Sequence, residues 1–194
     1  MNRISRDSLL TLEAYARERN GFRARVMAHK KHRKLHVGPH VTLVFEDELT
    51  IRYQVQEMLR AEKTFEEDGI RDELDAYNPL IPDGTNLKAT MMIEYEDPDE
   101  RDRELARLVG IENRVYVEVG AQPRVYAIAD EDLDRATEQK TSSVHFLRFE
   151  LTAAAIDAFK GGEAVALGID HPRYSARIDE IAPDVRAALA KDFA

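Results

Sequence analysis

Residues 34–45 read Lys-Leu-His-Val-Gly-Pro-His-Val-Thr-Leu-Val-Phe, and apolar side chains alternate along both sides of the Gly-Pro pair. The alternating apolar positions are Leu35, Val37, Val41, Leu43 and Phe45. Such alternation is typical of β-strands, and a glycine followed by a proline is typical of the turn that joins two strands. The segment therefore predicts a β-hairpin.

Helical patterns flank this hairpin on both sides. Before it, apolar residues at the helical spacing predict helices over residues 8–19 and 22–31. After it, Asp47 is a good N-cap for a helix that extends to about residue 66. We expect Gly69 to break this helix and residues 70–77 to form a shorter one.

The pattern of the chain after residue 87 is predominantly that of β-strands. It predicts strands over residues 88–95, 114–119, 124–129, 144–151, 164–170 and 174–181, and helices over 98–109, 130–139, 152–160 and 183–193. We therefore predict an α+β fold, with a mostly antiparallel β-sheet or partly closed barrel in the C-terminal two-thirds and an N-terminal helical part packed on it. No segment resembles a linker, so residues 1–194 are predicted to form a single domain, with a helix-rich part over 1–86 and a β-rich part over 87–194.

Residues 21–44, which we call the basic segment, contain no acidic residue. Four of the chain's six histidines lie there with six lysines and arginines, which leaves −15 on the rest of a chain whose net charge is −9. Such segregation predicts a surface that meets an anionic partner or lies against the chain's own acidic part. The residues predicted to bind a partner or anion are Arg23, Arg25, His29, Lys30, Lys31, His32, Arg33, His36 and His40. A solvated surface without a ligand, and a divalent metal held by His29 and His32, are the alternatives.

A second candidate ligand site consists of four polar residues: Glu57, Asn78, Asn86 and His145. Glu57 lies on the predicted long helix, and the two asparagines flank a loop that prolines stiffen; rigid loops often carry function. Each residue also has a purely structural interpretation. Glu57 would then belong to an exposed helix face, the asparagines would cap turns, and His145 would be a hydrogen-bonded core residue on the apolar face of its strand.

The composition excludes several classes of site. The 194-residue chain has no cysteine, which excludes disulfides, thiolate zinc sites, cysteine-held iron–sulfur clusters and a cysteine nucleophile. It also lacks glycine-rich nucleotide-binding loops, a Gly-x-Ser-x-Gly elbow and any Glu-x-x-His pair, and we predict no cofactor. No apolar stretch reaches the ~18 residues of a membrane span and no apolar leader follows Met1, so we expect a soluble cytoplasmic protein that does not enter a membrane.

Eight stretches of the sequence together carry a resemblance to a known family: residues 22–32, 36–40, 45–47, 53–60, 75–84, 126–130, 144–149 and 170–172. Across nearly its whole length the chain resembles an uncharacterised bacterial family, domain of unknown function 3501 (DUF3501). The family has no assigned activity, and its members are often encoded beside rubrerythrin-like proteins and iron–sulfur oxidoreductases. The resemblance implies an accessory role in such a redox system.

Three hypotheses of function follow from these features. The first is a non-catalytic cytoplasmic accessory protein whose basic segment docks an acidic protein partner, an iron–sulfur oxidoreductase or a rubrerythrin-like protein. The histidines would make that docking pH-sensitive near neutrality. The second is a metal- or small-anion-dependent enzyme that uses His36, His40, Glu57, Asn78 and His145. The third, a nucleic-acid-binding regulator, is disfavoured by the acidic remainder of the chain.

Overall fold

The computed structural model describes residues 3–133, 135–137 and 139–194. Within these residues it contains six α-helices: α1 (Leu12–Lys30), α2 (Glu48–Glu62), α3 (Glu67–Tyr77), α4 (Pro98–Arg107), α5 (Ala153–Gly161) and α6 (Pro183–Leu189). The same residues form nine strands: β1 (Lys34–His36), β2 (Val41–Phe45), β3 (Asn86–Ile93), β4 (Val115–Val119), β5 (Val125–Tyr126), β6 (Ile128–Ala129), β7 (Val144–Glu150), β8 (Val165–His171) and β9 (Tyr174–Ile178).

The strands form two antiparallel sheets. The first sheet has the order β1-β2-β3-β7-β6 and the second has the order β5-β4-β8-β9. All neighbouring strands in both sheets run antiparallel, and neither sheet closes into a barrel within the described residues. The predicted α+β class with mostly antiparallel sheets is therefore confirmed. Strands β1 and β2, from the predicted helix-rich part, share a sheet with strands from the β-rich part.

Two hydrophobic clusters hold these layers together. The larger one contains buried side chains of both sheets and of α4, α5 and α6. The smaller one joins α2 and α3 to the N-terminal segment through Ile4, Leu9, Ile51, Val55, Leu59, Ile70, Leu74 and Ile81. Among the described residues, no helix combines the length and the apolar character that crossing a membrane requires.

The hairpin over residues 34–45 and the start of the following helix are confirmed. β1 pairs antiparallel with β2, with Leu35 opposite Leu43, and Gly38 in the turn has a left-handed φ of 74° that favours glycine. Asp47 Oδ1 accepts a hydrogen bond from the Thr50 N–H at 3.0 Å, and Thr50 Oγ1 accepts one from the Asp47 N–H at 2.9 Å. This reciprocal capping box fixes the residue at which α2 begins.

The two helices predicted before the hairpin are one continuous helix, α1, so the predicted division near residue 20 is wrong. The helix begins after Thr11, while Ser8 lies in a 3₁₀ turn. Packing against α2 keeps the helix continuous near residue 20, because Phe22 stacks on Tyr53 of α2 with ring centroids 6.0 Å apart. Gly21 is tolerated there since a glycine in a helix costs only ~1 kcal/mol relative to alanine.

The predicted helix break at Gly69 is also wrong. α2 ends earlier, at Glu62, because Lys63 adopts the left-handed conformation with φ 56°. The Lys63 N–H then donates to the carbonyls of Arg60 and Leu59, which would otherwise lack partners at the helix end. Gly69 lies within α3.

The predicted single strand over residues 124–129 is two short strands in different sheets. β5 pairs with β4 in the second sheet, whereas β6 pairs with β7 in the first. Ala127 between them is buried, and its N–H donates to the Val115 carbonyl at 2.8 Å. The chain therefore crosses here from one sheet to the other, which an alternating pattern does not distinguish from one continuous strand.

The predicted helix over residues 130–139 is wrong for its described part. Residues 130–133, 135–137 and 139 form no helix, and Asp134 and Glu138 lie outside the described residues. Asp130 has a left-handed φ of 50°, and its N–H donates to the Phe146 carbonyl at 2.8 Å. The segment is therefore tied to β7 where a helix would have to begin.

Candidate functional site

The basic segment is divided between buried and exposed cations. Arg33 is 1% exposed, and its guanidinium donates to the carbonyls of Phe45 at 2.9 Å, Glu46 at 3.1 Å and Ala188 at 3.2 Å. It also forms an ion pair with Asp192. A buried arginine with this many acceptors is a structural link, so Arg33 is not available to an external partner.

His29 contributes to the same link. Its Nε2 lies 2.5 Å from Asp47 Oδ2, and Arg33 lies 3.5 Å from the same carboxylate. Burial by itself would raise the pKa of Asp47, but Arg33, the Thr50 N–H and His29 together hold it below its ordinary value. Burial raises the pKa of Asp192 to about 6 against the opposing effect of Arg33. We call these four side chains, His29, Arg33, Asp47 and Asp192, the α1–β1 junction.

His32 is exposed, and its Nδ1 lies 2.8 Å from the Asp184 carboxylate at the start of α6. With the α1–β1 junction, this pair shows that one part of the basic segment lies against the chain's own acidic residues. That was one of the two arrangements predicted for this segment.

The other five cations of the basic segment take no part in these contacts, and Arg25 lies over the Phe22 ring at 4.8 Å from its centroid. Within residues 3–133, 135–137 and 139–194, no ion pair involves Arg23, Arg25, Lys30, Lys31 or Lys34. Lys30 is half-buried and the other four are exposed. We call these five residues the exposed basic face.

His36 and His40 lie on the hairpin, and each has a polar partner near Glu94. The Thr42 hydroxyl lies 3.0 Å from His36 Nδ1 and donates to Glu94 Oε2 at 2.5 Å. His40 Nδ1 lies 3.1 Å from the Glu94 carbonyl oxygen, and its ring stacks on Tyr95 with centroids 4.0 Å apart. His40 therefore contacts Glu94 directly, and His36 is linked to it through Thr42.

Glu57 joins α1 to α2. Its two carboxylate oxygens accept hydrogen bonds from the Arg19 guanidinium, each at 2.7 Å, and Tyr15 Oη donates to Oε1 at 2.7 Å. The bond from Arg19, helped by Tyr15, lowers the pKa of Glu57 to about 2 against the opposing effect of burial. Its hydrogen-bonding capacity is used by the helix pair.

The two loop asparagines bind the backbone and a neighbouring strand. Asn78 Oδ1 accepts from the Ile4 N–H at 2.8 Å, and its Nδ2 donates to the Ile4 carbonyl at 3.1 Å. Asn86 is fully buried, and its Nδ2 donates to Glu150 Oε2 at 3.2 Å. Both asparagines therefore fasten segments of the chain to one another.

His145 is fully buried in a polar cluster. Its Nδ1 lies 2.5 Å from Asp130 Oδ2, and its Nε2 lies 2.9 Å from Thr141 Oγ1 and 3.0 Å from the Ser142 carbonyl oxygen. Both ring nitrogens therefore have polar partners within the chain. Glu112 Oε2 lies 3.9 Å from Nε2.

The structure does not collect the predicted enzyme residues into one cleft. Among the described residues, His40 contacts the Glu94 carbonyl and His36 is linked to the Glu94 side chain through Thr42. Glu57, Asn78 and His145 each bond to a different part of the chain. No group of three or more histidine, aspartate and glutamate side chains in the described ranges is arranged to hold a metal ion. The partners of His145 were missed, although Asp130 follows an alternating segment at the point where the pattern ends.

Comparison with known proteins identifies a family whose function is unknown. The model of a family described as a protein of unknown function (DUF3501) matches residues 3–193. The chain is 58% identical to a novel protein of unknown function from Burkholderia pseudomallei, whose crystal structure superposes with a TM-score of 0.95 over 99% of this chain and 100% of that one. No curated protein sequence matches the chain.

Proposed function

Because the chain belongs to the DUF3501 family of proteins of unknown function, we propose its function from its own surface. We propose a non-catalytic, cytoplasmic accessory protein that binds an acidic protein partner through the exposed basic face. The observation that carries this proposal is that these five cations have no ion-pair partner in the described chain, while Arg33, His29 and His32 beside them do.

Charge is the physical reason for the proposal. The chain carries −9 overall, so cations left without carboxylate partners create a local field opposite in sign to the rest of the molecule. Such a field steers an acidic surface into one orientation and speeds encounter more than it raises affinity. An electrostatic docking site with moderate, salt-sensitive affinity is therefore the expected behaviour.

The partner that we propose is a redox protein, an iron–sulfur oxidoreductase or a rubrerythrin-like protein. The support is the family resemblance together with the absence of cysteine, since thiolate-held clusters would have to lie on the partner. In this proposal the chain supplies recognition and the partner supplies electron transfer.

The test compares two triple variants with the same change in net charge. The first, Lys30→Glu with Lys31→Glu and Lys34→Glu, reverses the charge of the three lysines in the exposed basic face. The control, Arg101→Glu with Arg103→Glu and Arg173→Glu, changes three exposed arginines elsewhere. Circular dichroism should show that both remain folded.

The binding measurement is co-purification at low salt with the oxidoreductase or rubrerythrin-like protein of the native host. The first triple variant should lose the complex, whereas the control should retain it. Raising the salt to 1 M, where the Debye length falls to about 3 Å, should also dissociate the wild-type complex. A complex that survives in the first triple variant at low salt would contradict the proposal.

A further inference from the structure

A cavity of about 240 Å³ lies on the face of the first sheet that is covered by the end of α3 and the turn after it. Glu46, Lys88, Phe146 and Arg148 line it from the sheet side, and Pro79 and Leu80 line it from the turn. The residues of the exposed basic face do not border it. Whatever this cavity binds is therefore independent of the docking surface proposed above.

Strand register places the charged lining in one row. Lys88 of β3 lies directly opposite Arg148 of β7. On the other side of β3, the Glu46 N–H donates to the Lys88 carbonyl at 2.8 Å, which extends the pairing of β2 with β3 by one residue. Because residues opposite one another in antiparallel strands project from the same face, the three side chains form a row across three strands.

Glu46 in this row is incompletely bonded. Its side chain is 3% exposed, and its Oε1 accepts a hydrogen bond from the Thr90 hydroxyl at 2.7 Å. Its Oε2 is buried and has no hydrogen-bond partner among the described residues. A buried carboxylate oxygen without a donor is costly, and native proteins rarely leave one unless water, an ion or a ligand supplies the donor.

The two cations of the row do not fill that role. Arg148 uses its guanidinium on Glu131 and Glu150, with Nε and Nη2 bonding Glu131 at 2.7 and 2.8 Å. Lys88 Nζ donates to the Pro79 carbonyl and forms no ion pair with any described residue. Burial lowers the pKa of Lys88, and the charges of Asp83, Glu131 and Glu150 oppose that shift without pairing with its ammonium.

The cavity thus offers, among the described residues, a carboxylate oxygen without a donor and a cation without an ion-pair partner, beside an apolar wall made by Phe146, Leu80 and Pro79. Its lining also includes Glu131 and Asp132, and these two carboxylates are already bonded to Arg148 and Arg135. These three features are complementary to a zwitterion with a short hydrocarbon side chain. An ammonium group would satisfy Glu46 Oε2, and a carboxylate would pair with Lys88. A molecule with only one of the two charges would leave either the anion or the cation of the cavity without a partner.

We propose that this cavity binds a free amino acid with a small apolar side chain, with its ammonium at Glu46 and its carboxylate at Lys88. The contact with Lys88 requires its Nζ to exchange the Pro79 carbonyl for the ligand carboxylate. The contact with Glu46 requires the side chain to turn its buried Oε2 toward the cavity. No bond of the ligand is broken, so the site is one of recognition.

The binding test uses L-valine, L-leucine and L-methionine as probes, measured by calorimetry and by the shift in melting temperature of the full chain. Isopentylamine and 4-methylpentanoate serve as probes that carry one charge each. We expect at least one amino acid to bind, and both single-charge probes to bind more weakly by tenfold or more. Absence of binding by all three amino acids, or equal binding of a single-charge probe, would overturn the proposal.

Two variants locate the binding, and each has a matched control. Glu46→Gln and Lys88→Met should each weaken amino acid binding by tenfold or more. Glu94→Gln is the control for the first, because Glu94 also accepts a bond from a threonine hydroxyl. Lys160→Met is the control for the second, because Lys160 Nζ also donates to a backbone carbonyl.

Both controls should bind as the wild type does. If Glu46→Gln and Lys88→Met also bind like the wild type, the site is not this cavity and the proposal is wrong. Amide chemical-shift changes in the wild type, mapped on addition of the amino acid, give a reading that does not depend on any variant folding. Perturbations centred on β3 and β7 are expected, and perturbations confined to other elements would contradict the assignment.

Discussion

The α1–β1 junction and the Glu46 cavity both place charged side chains in the interior, but they differ in how completely those charges are bonded. At the junction, Arg33 has three carbonyls and a carboxylate as acceptors. Beside the cavity, Glu46 Oε2 has no donor among the described residues. The hydrogen bonds of the buried Arg33 are all made within the fold. A buried carboxylate that lacks a donor beside a cavity is instead positioned to bind a ligand. The contrast separates residues that hold this fold from residues available for recognition.

Arg33→Met should give the largest loss of stability. It leaves Asp192 and three backbone carbonyls without their donor, and breaking a buried pair in this way costs about 3–5 kcal/mol of unfolding free energy. Lys34→Met, the adjacent exposed cation, should change the unfolding free energy by less than about 0.5 kcal/mol. Urea denaturation at pH 7 measures both, and comparable losses in the two variants would show that the junction is not the structural link described here.

Glu57→Gln should cost about 1–3 kcal/mol at pH 7, because it weakens the charged hydrogen bonds from Arg19 and Tyr15 that join α1 to α2. The folded pKa of Glu57 is lowered to about 2, so its contribution is fully present above the ordinary value of 4.5 and is lost as the pH falls toward 2. The difference in unfolding free energy between wild type and variant should therefore shrink between pH 5 and pH 2. A difference that stays constant over that interval would contradict the assignment.

Asp192 should show the opposite pH dependence. Its folded pKa is raised to about 6 from the ordinary 3.8, so its stabilising contribution is present below pH 3.8 and is lost as the pH rises through 6. Relative to Asp192→Asn, the wild type should lose about 1–3 kcal/mol of stability between pH 4 and pH 7. Denaturation curves at the two pH values decide this, and a relative gain by the wild type would show that the ion pair with Arg33 dominates over burial.

Glu46→Gln should have the smallest effect on the ligand-free protein. The substituted side chain keeps an oxygen for the Thr90 hydroxyl and removes a buried charge that lacks a second partner. We expect a change below about 1 kcal/mol in either direction, measured by urea denaturation without amino acids. A loss as large as that of Arg33→Met would mean that Glu46 belongs to the fold rather than to a binding site.

Elements that are set by neighbouring residues were predicted correctly. Elements that depend on contacts between distant residues were not. The hairpin at Gly38 and the start of α2 at Asp47 are set by neighbouring residues, so the sequence was sufficient for both. Helix ends were misplaced where packing or an unexpected left-handed residue decided them, as at Lys63. The segment after Asp130 was misassigned because the Asp130 N–H donates to Phe146 of β7. That contact between residues far apart in the sequence is not visible in the local pattern.

The same limit applies to the candidate sites. The basic segment was visible as charge, but the sequence does not distinguish the buried Arg33 from the exposed Lys31. Arg33 differs from Lys31 through its contact with Asp192, which is 159 residues away in the sequence. The Glu46 cavity was missed because it requires the register of three strands, and register cannot be derived from alternation alone.

The 159-residue span between Arg33 and Asp192 also has a consequence for biosynthesis. At 5–20 residues per second, a ribosome needs about 10–30 s to proceed from the first of these residues to the second. Throughout that interval the hairpin can form from neighbouring residues, but the guanidinium that anchors it lacks its acidic partner. The nascent chain therefore completes its interior only after residue 192 has left the exit tunnel. A chaperone that shields the segment around Arg33 would have its greatest effect before that moment.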